Sequence, residues 1–198
     1  MLVFGSQAFL MNKHAKINRG FFTAILYAFR DLDTSIREQI EIRNKESQLL
    51  PLLYFTCLIL LLSQLIQVTS EVQQAPYLSV ITAVIVSYLF FLPIFMYITS
   101  FILHLALKFF GAISSSFQTR LALFWSLAIS ALIILFVSVL KIFTNGATEI
   151  VIVIFSELLV VYIFSRVLGF VCNFRDRSLF TFIMVSFYVT PVILINFS

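Results

Sequence analysis

Residues 121–140 read LALFWSLAISALIILFVSVL, a run of 20 residues without a charged side chain. A helix of about 20 mostly apolar residues spans the hydrocarbon core of a bilayer, which is roughly 30 Å thick. The apolar residues of this run are continuous, whereas a strand of a membrane barrel alternates apolar and polar residues. The run therefore predicts a transmembrane helix.

Apolar runs of similar length precede and follow this one. Together they predict five transmembrane helices, at residues 49–68, 77–110, 121–140, 150–172 and 179–197. The second run is too long for an upright helix, so we expect it to tilt and to bend near Pro93. The connections are short, which makes neighbouring spans antiparallel and leaves no room between them for a soluble domain. The predicted fold class is an all-α polytopic membrane protein.

The composition of the whole chain indicates the same class. Its 198 residues are 61% hydrophobic and 11% charged, whereas soluble domains average about 45–50% and about 25%. A soluble domain of this size could not hide so much apolar surface from water. We therefore expect an integral membrane protein.

The same composition excludes several kinds of chemistry. The five glycines are too scattered for a phosphate-binding loop, and the two cysteines lie in apolar runs, unlike those of a disulfide framework or zinc site. The net charge of +4 is too small and too dispersed for nucleic-acid binding. We expect no catalytic residues, no cofactor, no metal and no DNA or RNA partner.

The charged residues are concentrated at the start of the chain. Twelve of the 22 lie between Lys13 and Glu46, so we expect a cytoplasmic segment at residues 1–48 and a transmembrane domain at residues 49–198. Eleven of the 13 Lys and Arg residues flank the spans on the side of the N-terminus, and Lys141 alone flanks them on the other side. The positive-inside rule then places the N-terminus in the cytoplasm and the C-terminus outside.

The N-terminal segment carries an amphipathic pattern. Apolar residues recur at steps of three and four, which marks one face of a helix: Ile25, Phe29, Leu32, Ile36 and Ile40. Ser35 and Glu38 have the spacing of a capping box, so we expect the segment to break into two helices near Asp33–Ser35. Two helical interpretations stay open: a helix that lies on the inner leaflet, or a docking face for a cytosolic partner. Disorder is the remaining alternative.

Polar residues inside the spans are the best indicators of function, because each is unfavourable in lipid unless it is paired or hydrated. Glu157 lies roughly 10 Å below the outer boundary of the fourth span, and Gln64 and Gln67 reach a similar depth. These three form the candidate intramembrane polar site: Glu157 is either neutral and bonded to a glutamine amide, or linked to protons or cations. Arg166 is half a turn out of phase with Glu157, so we expect it to extend to the inner headgroups. His104 is expected to be capped or interfacial.

Small residues recur at every fourth position on two spans. In lipid, this spacing lets helices approach closely. The predicted helix-packing faces are Ser79, Ala83 and Ser87 on the second span, and Ala122, Ser126 and Ser130, continued by Ser138, on the third.

Three stretches, together with the order of the parts, resemble the Yip-one domain (Ypt-interacting protein) family, and specifically its bacterial members. Residues 111–117 (GAISSSF) and 119–125 (TRLALFW) resemble the family's glycine–serine–Phe loop and the Trp-bearing third span that follows it. Residues 160–174 (VVYIFSRVLGFVCNF) resemble the fourth span running into a short loop, and residues 20–36 occupy the place of its short basic segment. The resemblance implies a non-enzymatic protein, here of a bacterial inner membrane; eukaryotic members act in vesicle traffic and membrane shaping.

Two functions follow as hypotheses. The first is a scaffold that organises membrane or recruits partners; the second is a small transporter or channel subunit that works through Glu157. A transport path needs polar residues across the whole depth, but the middle of the bundle offers only hydroxyls such as Ser87 and Ser130, which favours the first. The expected partners are the lipid bilayer and either further copies of the chain or other membrane proteins.

Overall fold

The computed structural model describes residues 20–71, 77–109, 111–173, 180–181 and 184–186. Within these ranges the chain is helical and contains no strand, which confirms the all-α prediction. In chain order the elements are α1 (Phe21–Ala28), α2 (Leu32–Ile42), a short 3-10 helix (Glu46–Gln48), α3 (Leu49–Glu71), α4 (Tyr77–Val86), a π-helical segment (Ser87–Phe91), α5 (Leu92–Phe109), α6 (Ser116–Lys141) and α7 (Ala147–Val171).

Four helical stretches in the described part are long and apolar enough to cross a membrane: Glu46–Val68, Leu78–Phe109, Ser116–Lys141 and Ala147–Val171. They correspond to four of the five predicted spans and are compatible with a multi-pass membrane protein. The fifth predicted span, residues 179–197, lies mostly outside the described residues, so the number of five stays a prediction. Phe180, at its start, packs against the core.

Helix α6 is the centre of the bundle. It packs against α3 on one side and α7 on the other, and it also contacts α5. Its stripe of small residues is buried, with exposed fractions of 2% or less at all four positions: Ala122, Ser126, Ser130 and Ser138. Small side chains let neighbouring helices approach closely, so this stripe explains why α6 takes the central place.

The small residues of the second span lie differently. Ser79, Ala83 and Ser87 are exposed, so the packing face predicted there is not used within the described part of the chain. The buried residues of α5, including Ser100 and His104, meet α6 instead. They lie on another face of the span, which the small-residue pattern did not indicate.

The irregularity expected near Pro93 is a π-helical segment directly before it. Proline lacks an N–H, and its ring clashes with the carbonyl of the fourth residue back. The N–H of Leu92 donates to the carbonyl of Ser87, five residues back, instead of four. The wider π register thus accommodates the proline without ending the span.

Helices α1 and α2 form a hairpin, which we call the N-terminal hairpin (residues 21–42). The segment does break into two helices, but the break lies between Ala28 and Leu32 and not near Asp33–Ser35, and the N-cap of α2 is Asp31 and not Ser35. The Asp31 carboxylate accepts hydrogen bonds from the Thr34 N–H at 3.0 Å and from its hydroxyl at 2.6 Å. Ser35 is instead buried, and its hydroxyl accepts a hydrogen bond from the indole Nε1 of Trp125 at 3.1 Å. The prediction of a capping box at Ser35 is wrong, because the Ser35 hydroxyl bonds to Trp125 of α6 and not to the backbone of its own helix.

The apolar face of the N-terminal hairpin packs against the bundle. Ile25 and Ile36, two residues of the predicted face, are fully buried. The ring of Phe21 lies edge-on to Phe55 of α3, with 4.8 Å between ring centres, and to Trp125 of α6, with 6.0 Å. Neither of the two interpretations made from the sequence included docking on the chain's own spans.

The N-terminal hairpin covers only one half of the bundle. It contacts the first part of α3 and α6 and the last part of α7, where the Arg37 guanidinium lies 5.6 Å from the ring centre of Phe170. We call this the Ser116 end of the bundle, and the opposite one the Lys141 end. The tip of the hairpin reaches Leu132 and Ile133, near the middle of α6, because Leu26 lines a groove together with both.

Enlarging a small residue of the α6 stripe should overpack the interface. We expect Ser126→Leu and Ser130→Leu each to lower the free energy of unfolding by about 1–3 kcal/mol. Thermal unfolding in a mild detergent measures this. Val139→Leu on the exposed side of the same helix is the control, and equal tolerance at all three positions would contradict the buried stripe.

Candidate functional site

A cavity of about 430 Å³ lies between α3, α6 and α7, towards the Lys141 end. Its apolar walls are valines and an isoleucine. Five polar side chains also line it: Gln67, Ser138, Lys141, Ser156 and Glu157. The sequence indicated Gln67 and Glu157, and the structure brings these two to the same cavity.

Gln67 takes part in the pairing of α3 with α6. Its Nε2 donates to the hydroxyl of Ser138 at 2.8 Å, and the hydroxyls of Ser63 and Ser138 are 2.6 Å apart. Ser138 in turn donates to the carbonyl of Ile134 at 2.9 Å. Polar bonds of this kind hold helices together in lipid and are worth about 0.6 kcal/mol each on average. The hydrogen-bonding capacity of Ser138 is therefore used for helix packing.

Gln64 lies outside the cavity. Its side-chain carbonyl accepts a hydrogen bond from the Tyr88 hydroxyl at 3.4 Å, which ties α3 to the π-helical segment. Three residues along a helix rotate a side chain by about 300°, so Gln64 and Gln67 point towards different neighbours. The three-residue polar site is thus divided: the structure brings Glu157 and Gln67 together and places Gln64 elsewhere.

The sequence did not single out three of the lining residues for a polar site. Ser138 carried a signal, since it belongs to the small stripe of α6, but it was interpreted as packing alone. Ser156 donates to the carbonyl of Val153 at 2.7 Å. Lys141, at the mouth of the cavity, lies 3.3 Å from a carboxylate oxygen of Glu149. No periodic pattern marks Ser156 or Lys141, because their proximity arises from the packing of α6 against α7.

The cavity can hold water or a small polar molecule, since amide, hydroxyl, ammonium and carboxylate groups face it. Within the ranges that the structure describes, no group of three or more His, Cys, Asp or Glu residues could hold a metal ion.

A second polar cluster lies at the Ser116 end. The Nδ1 atom of His104 is 3.2 Å from the hydroxyl of Thr119, which is 3.1 Å from that of Ser114. Ser114 also lies 3.6 Å from the Cys172 sulfur. All four side chains are buried. The cluster therefore ties α5, the loop before α6 and the end of α7 together, and His104 is a buried, hydrogen-bonded histidine.

The loop of this cluster is well determined by local chemistry. Gly111 adopts a positive φ of 82°, a conformation that glycine takes without steric strain. Ser115 and Gln118 form a capping box at the start of α6, with each side chain accepting from the other residue's backbone N–H.

An apolar layer separates the two polar regions. In the described part of the chain, the level between them is filled by fully buried side chains of α3 and α6: Leu53, Cys57, Phe124, Trp125 and Ile129. Close packing of this kind leaves no room for water. The polar groups therefore do not form a continuous path from one end of the bundle to the other.

Charged residues fix the N-terminal hairpin to the bundle. Arg166 of α7 donates through Nη2 to the Asp33 carboxylate at 3.4 Å, so it does not simply extend to the headgroups as we expected. The sequence could not show this pair, because its members are 133 residues apart. Nearby, Arg120 forms an ion pair with Glu46.

Arg43 joins the end of α2 to the start of α3. Its Nε donates to the side chain of Gln39 at 2.9 Å and its Nη1 to the carbonyl of Gln48 at 3.1 Å. Its guanidinium also lies 5.7 Å from the ring centre of Phe21. Burial lowers the pKa of Arg43 from its usual value, but hydrogen bonds to acceptors keep the charged form in place.

Comparisons with models of known protein families, with characterised proteins and with solved structures find no match to this chain. What the chain does is therefore inferred from its sequence and geometry.

Removing the hydroxyl of Ser138 should test the polar pairing of α3 with α6. Ser138→Ala takes away the acceptor that Gln67 and Ser63 share, so we expect a loss of about 1 kcal/mol in the free energy of unfolding. Glu157→Gln keeps the shape of the side chain and should leave stability unchanged. Thermal unfolding in detergent measures both.

Ser156→Ala is the matched control, because its hydroxyl bonds only to a carbonyl of its own helix. A larger loss for Glu157→Gln than for Ser138→Ala would show that Glu157 holds the bundle together.

Proposed function

We propose that this chain is a non-enzymatic, multi-pass membrane protein of the Yip-one type that organises the bilayer. The observation that carries the proposal is the position of the N-terminal hairpin, which packs against the Ser116 end of the described part of the bundle. A protein that is wider in one leaflet than in the other favours curved membrane.

The outward side of the hairpin fits a place inside lipid. Phe22, Leu26 and Phe29 on α1 are exposed, with exposed fractions of 61%, 65% and 47%. Amphipathic helices that insert apolar side chains into one leaflet respond to curvature. With the N-terminus in the cytoplasm, as the distribution of Lys and Arg indicates, the added volume falls in the cytoplasmic leaflet.

The hairpin is fixed to the bundle, which distinguishes it from a helix that binds the surface reversibly. The Asp33–Arg166 pair and the Ser35–Trp125 hydrogen bond hold α2 against α7 and α6. The side chains of Asp33 and Arg166 are 32% and 33% exposed, so the pair is only partly buried and acts together with the apolar packing of the hairpin. The N-terminal hairpin is therefore a fixed part of the proposed structure.

Recruitment of partners belongs to the same proposal. Arg37 and Glu41 on α2 are exposed and give the hairpin a polar side, which a cytosolic or membrane protein could contact. Further copies of the chain or other membrane proteins are the partners we propose besides the bilayer.

A small transporter or channel subunit is the second candidate. The observation that favours it is the cavity of about 430 Å³ with Glu157 in its wall. The apolar layer around Trp125 and Phe124 opposes it, because a path for protons or cations would have to open through fully buried side chains. The scaffold therefore ranks first.

The orientation of the chain in vesicles of different diameter tests whether the N-terminal hairpin widens the protein in one leaflet. Reconstitution inserts the chain in both directions, so each vesicle contains its own control. We expect the fraction of molecules whose N-terminal side faces outwards to rise as vesicle diameter falls, because a wedge in the outer leaflet fits high curvature. Protease access to a tag at the N-terminus measures this fraction, and an equal fraction at all diameters would contradict the proposal.

Charge reversal supplies the matched variants. Asp33→Arg places two positive charges opposite each other and should release the hairpin, so that the orientation bias is lost. Adding Arg166→Asp restores an opposite-charge pair and should restore the bias. In the same vesicles, a proton or cation flux that disappears in Glu157→Gln would make the transporter the first candidate.

A further inference from the structure

A pocket of about 430 Å³ lies at the Ser116 end of the bundle, where the end of α2 meets the starts of α1 and α3. We call it the Arg43 pocket. Two polar side chains, Arg43 and Gln48, line it, and none of its lining residues carries a carboxylate. Its other walls are apolar: Phe21, Ile42, Pro51, Leu52 and Phe55.

The guanidinium of Arg43 is held in place with hydrogen-bond donors to spare. Its Nε and Nη1 groups donate to the Gln39 side chain and to the Gln48 carbonyl, and it lies 5.7 Å from the ring centre of Phe21. These bonds use two of the five N–H donors of a guanidinium. In the described part of the chain, Nη2 makes no hydrogen bond, and it is not buried. Three donors therefore remain for a further partner.

Gln48 adds another donor to the pocket. Its Oε1 accepts a hydrogen bond from the Asn44 N–H at 3.1 Å, which fixes the orientation of the amide group. Its Nε2 has no hydrogen-bond partner among the described residues and is not buried either. The free side-chain polar groups of the pocket are thus donors alone. They suit a ligand group that only accepts hydrogen bonds, which is an oxyanion.

The charge of Arg43 has no carboxylate within ion-pair distance among the described residues. Arg43 belongs to none of the ion pairs found there, which are Arg120–Glu46, Lys141–Glu149 and Arg166–Asp33. Outside the described ranges the sequence has one acidic side chain, Asp176, which Arg175 and Arg177 flank. The residues before α1 and the predicted fifth span contain no Asp or Glu, so neither can supply a carboxylate side chain. A half-buried cation without such a partner favours an anion from outside the chain.

The apolar side of the pocket indicates which molecule brings the anion. From the pocket, apolar residues that are exposed or half-buried in the described part continue along α3 at steps of four, three and four, which is one face of a helix: Pro51, Phe55, Leu58 and Leu62. A phospholipid can use the donors and this stripe together. A free phosphate ion would use the donors alone.

The pocket also lies at the level of the lipid headgroups. The carbonyl that Arg43 binds belongs to Gln48, which directly precedes the apolar run at residues 49–68. Headgroups form the layer just outside the hydrocarbon core. With the Ser116 end on the cytoplasmic side, as the distribution of Lys and Arg indicates, the pocket faces the leaflet that is rich in anionic lipids.

We infer that the Arg43 pocket binds the phosphate of an anionic phospholipid from the cytoplasmic leaflet, with Arg43 and Gln48 as donors and an acyl chain along Phe55 and Leu58. The planar fork of a guanidinium matches two oxygens of one phosphate. The inference rests on the proposed placement of the Ser116 end in the cytoplasmic leaflet. It adds a class of lipid to the proposed organisation of the bilayer.

Native mass spectrometry of the full chain in mild detergent tests the site. The protein is mixed with dioleoylphosphatidylglycerol, and weakly bound lipid is removed by stepwise collisional activation. We expect the wild-type chain to keep one lipid. Arg43→Gln should reduce the retained lipid by about tenfold or more, since a charge-assisted hydrogen bond is lost. Dioleoylphosphatidylcholine, which has the same acyl chains but no net charge, should be retained as weakly by the wild type.

Two further variants change the net charge by the same single unit. Ile42→Glu keeps Arg43 and its bonds but places a carboxylate in the pocket from a side chain that is 38% exposed. It should lose the lipid as Arg43→Gln does, and it decides the matter if Arg43→Gln does not fold. Lys45→Gln is the matched control, because Lys45 is exposed and does not line the pocket, and it should keep the lipid. No retained lipid in the wild type, or equal retention in all three variants, would overturn the inference.

Inorganic phosphate distinguishes the two sources of the anion. Added in excess over the lipid before exchange into volatile buffer, it should leave the bound lipid in place, because it lacks an acyl chain. Complete displacement of the lipid by phosphate would show a site for the free ion and would overturn the choice of a lipid.

The outcome is separable from that of the proposed function. Arg43→Gln and Ile42→Glu leave the Asp33–Arg166 pair unchanged, so the orientation bias in small vesicles should persist when the lipid is lost. A chain that keeps the anionic lipid but shows no orientation bias would retain the binding site and refute the proposed effect of the N-terminal hairpin on curvature.

Discussion

An indole N–H buried in an apolar core must find an acceptor, because an unmet donor there is strongly unfavourable. Trp125 is fully buried at the centre of α6, and its acceptor is the hydroxyl of Ser35 on α2. This one bond requires the N-terminal hairpin to lie against the spans and not on the membrane surface. The Asp33–Arg166 pair, two residues earlier on α2, and the contact of Phe21 with the same indole follow from that placement.

The docked hairpin gives the bundle two unlike halves. At the Ser116 end, buried hydroxyls around His104 lie inside the bundle, and the N-terminal hairpin packs against its outside. At the Lys141 end, the described part of the bundle contains the cavity lined by Glu157 and the apolar groove above Leu26. Between them, large apolar side chains such as Phe124 and Ile129 are fully buried, and the buried hydroxyls of Thr56 and Ser126 donate to carbonyls of their own helices. Under the proposed scaffold function, the hairpin adds volume to one leaflet, which accounts for these features together.

Hydrophobic runs predicted five spans, four of which correspond to long apolar helices in the described part of the chain. Small-residue spacing predicted the stripe of α6, which is buried. Both signals depend on residues close together in the sequence. The contacts that place the hairpin join residues 90 and 133 positions apart and leave no period to detect. The spacing of Ser35 and Glu38 is that of a capping box, but the Ser35 hydroxyl accepts a hydrogen bond from Trp125 instead. Ser79 begins a stripe of small residues, but a different face of the second span packs against α6. For the polar site, the sequence predicted how deep Glu157, Gln64 and Gln67 lie along their helices. It did not predict that Gln67 faces the cavity whereas Gln64 faces Tyr88.

The depth of the hairpin in the bilayer is the most direct test. Phe22, Leu26 and Phe29 are each replaced by cysteine in separate variants, and a spin label is attached to that cysteine. The label's relative access to oxygen and to a water-soluble nickel complex reports its depth in the bilayer. The native Cys57 and Cys172 are buried and react poorly with the label. A hairpin inserted along α6 predicts that depth increases steadily from Phe22 to Phe29, by roughly 10 Å over seven residues, with Phe29 near the bilayer centre. Equal, shallow depths at all three positions would show a helix lying on the surface and would contradict the docked hairpin.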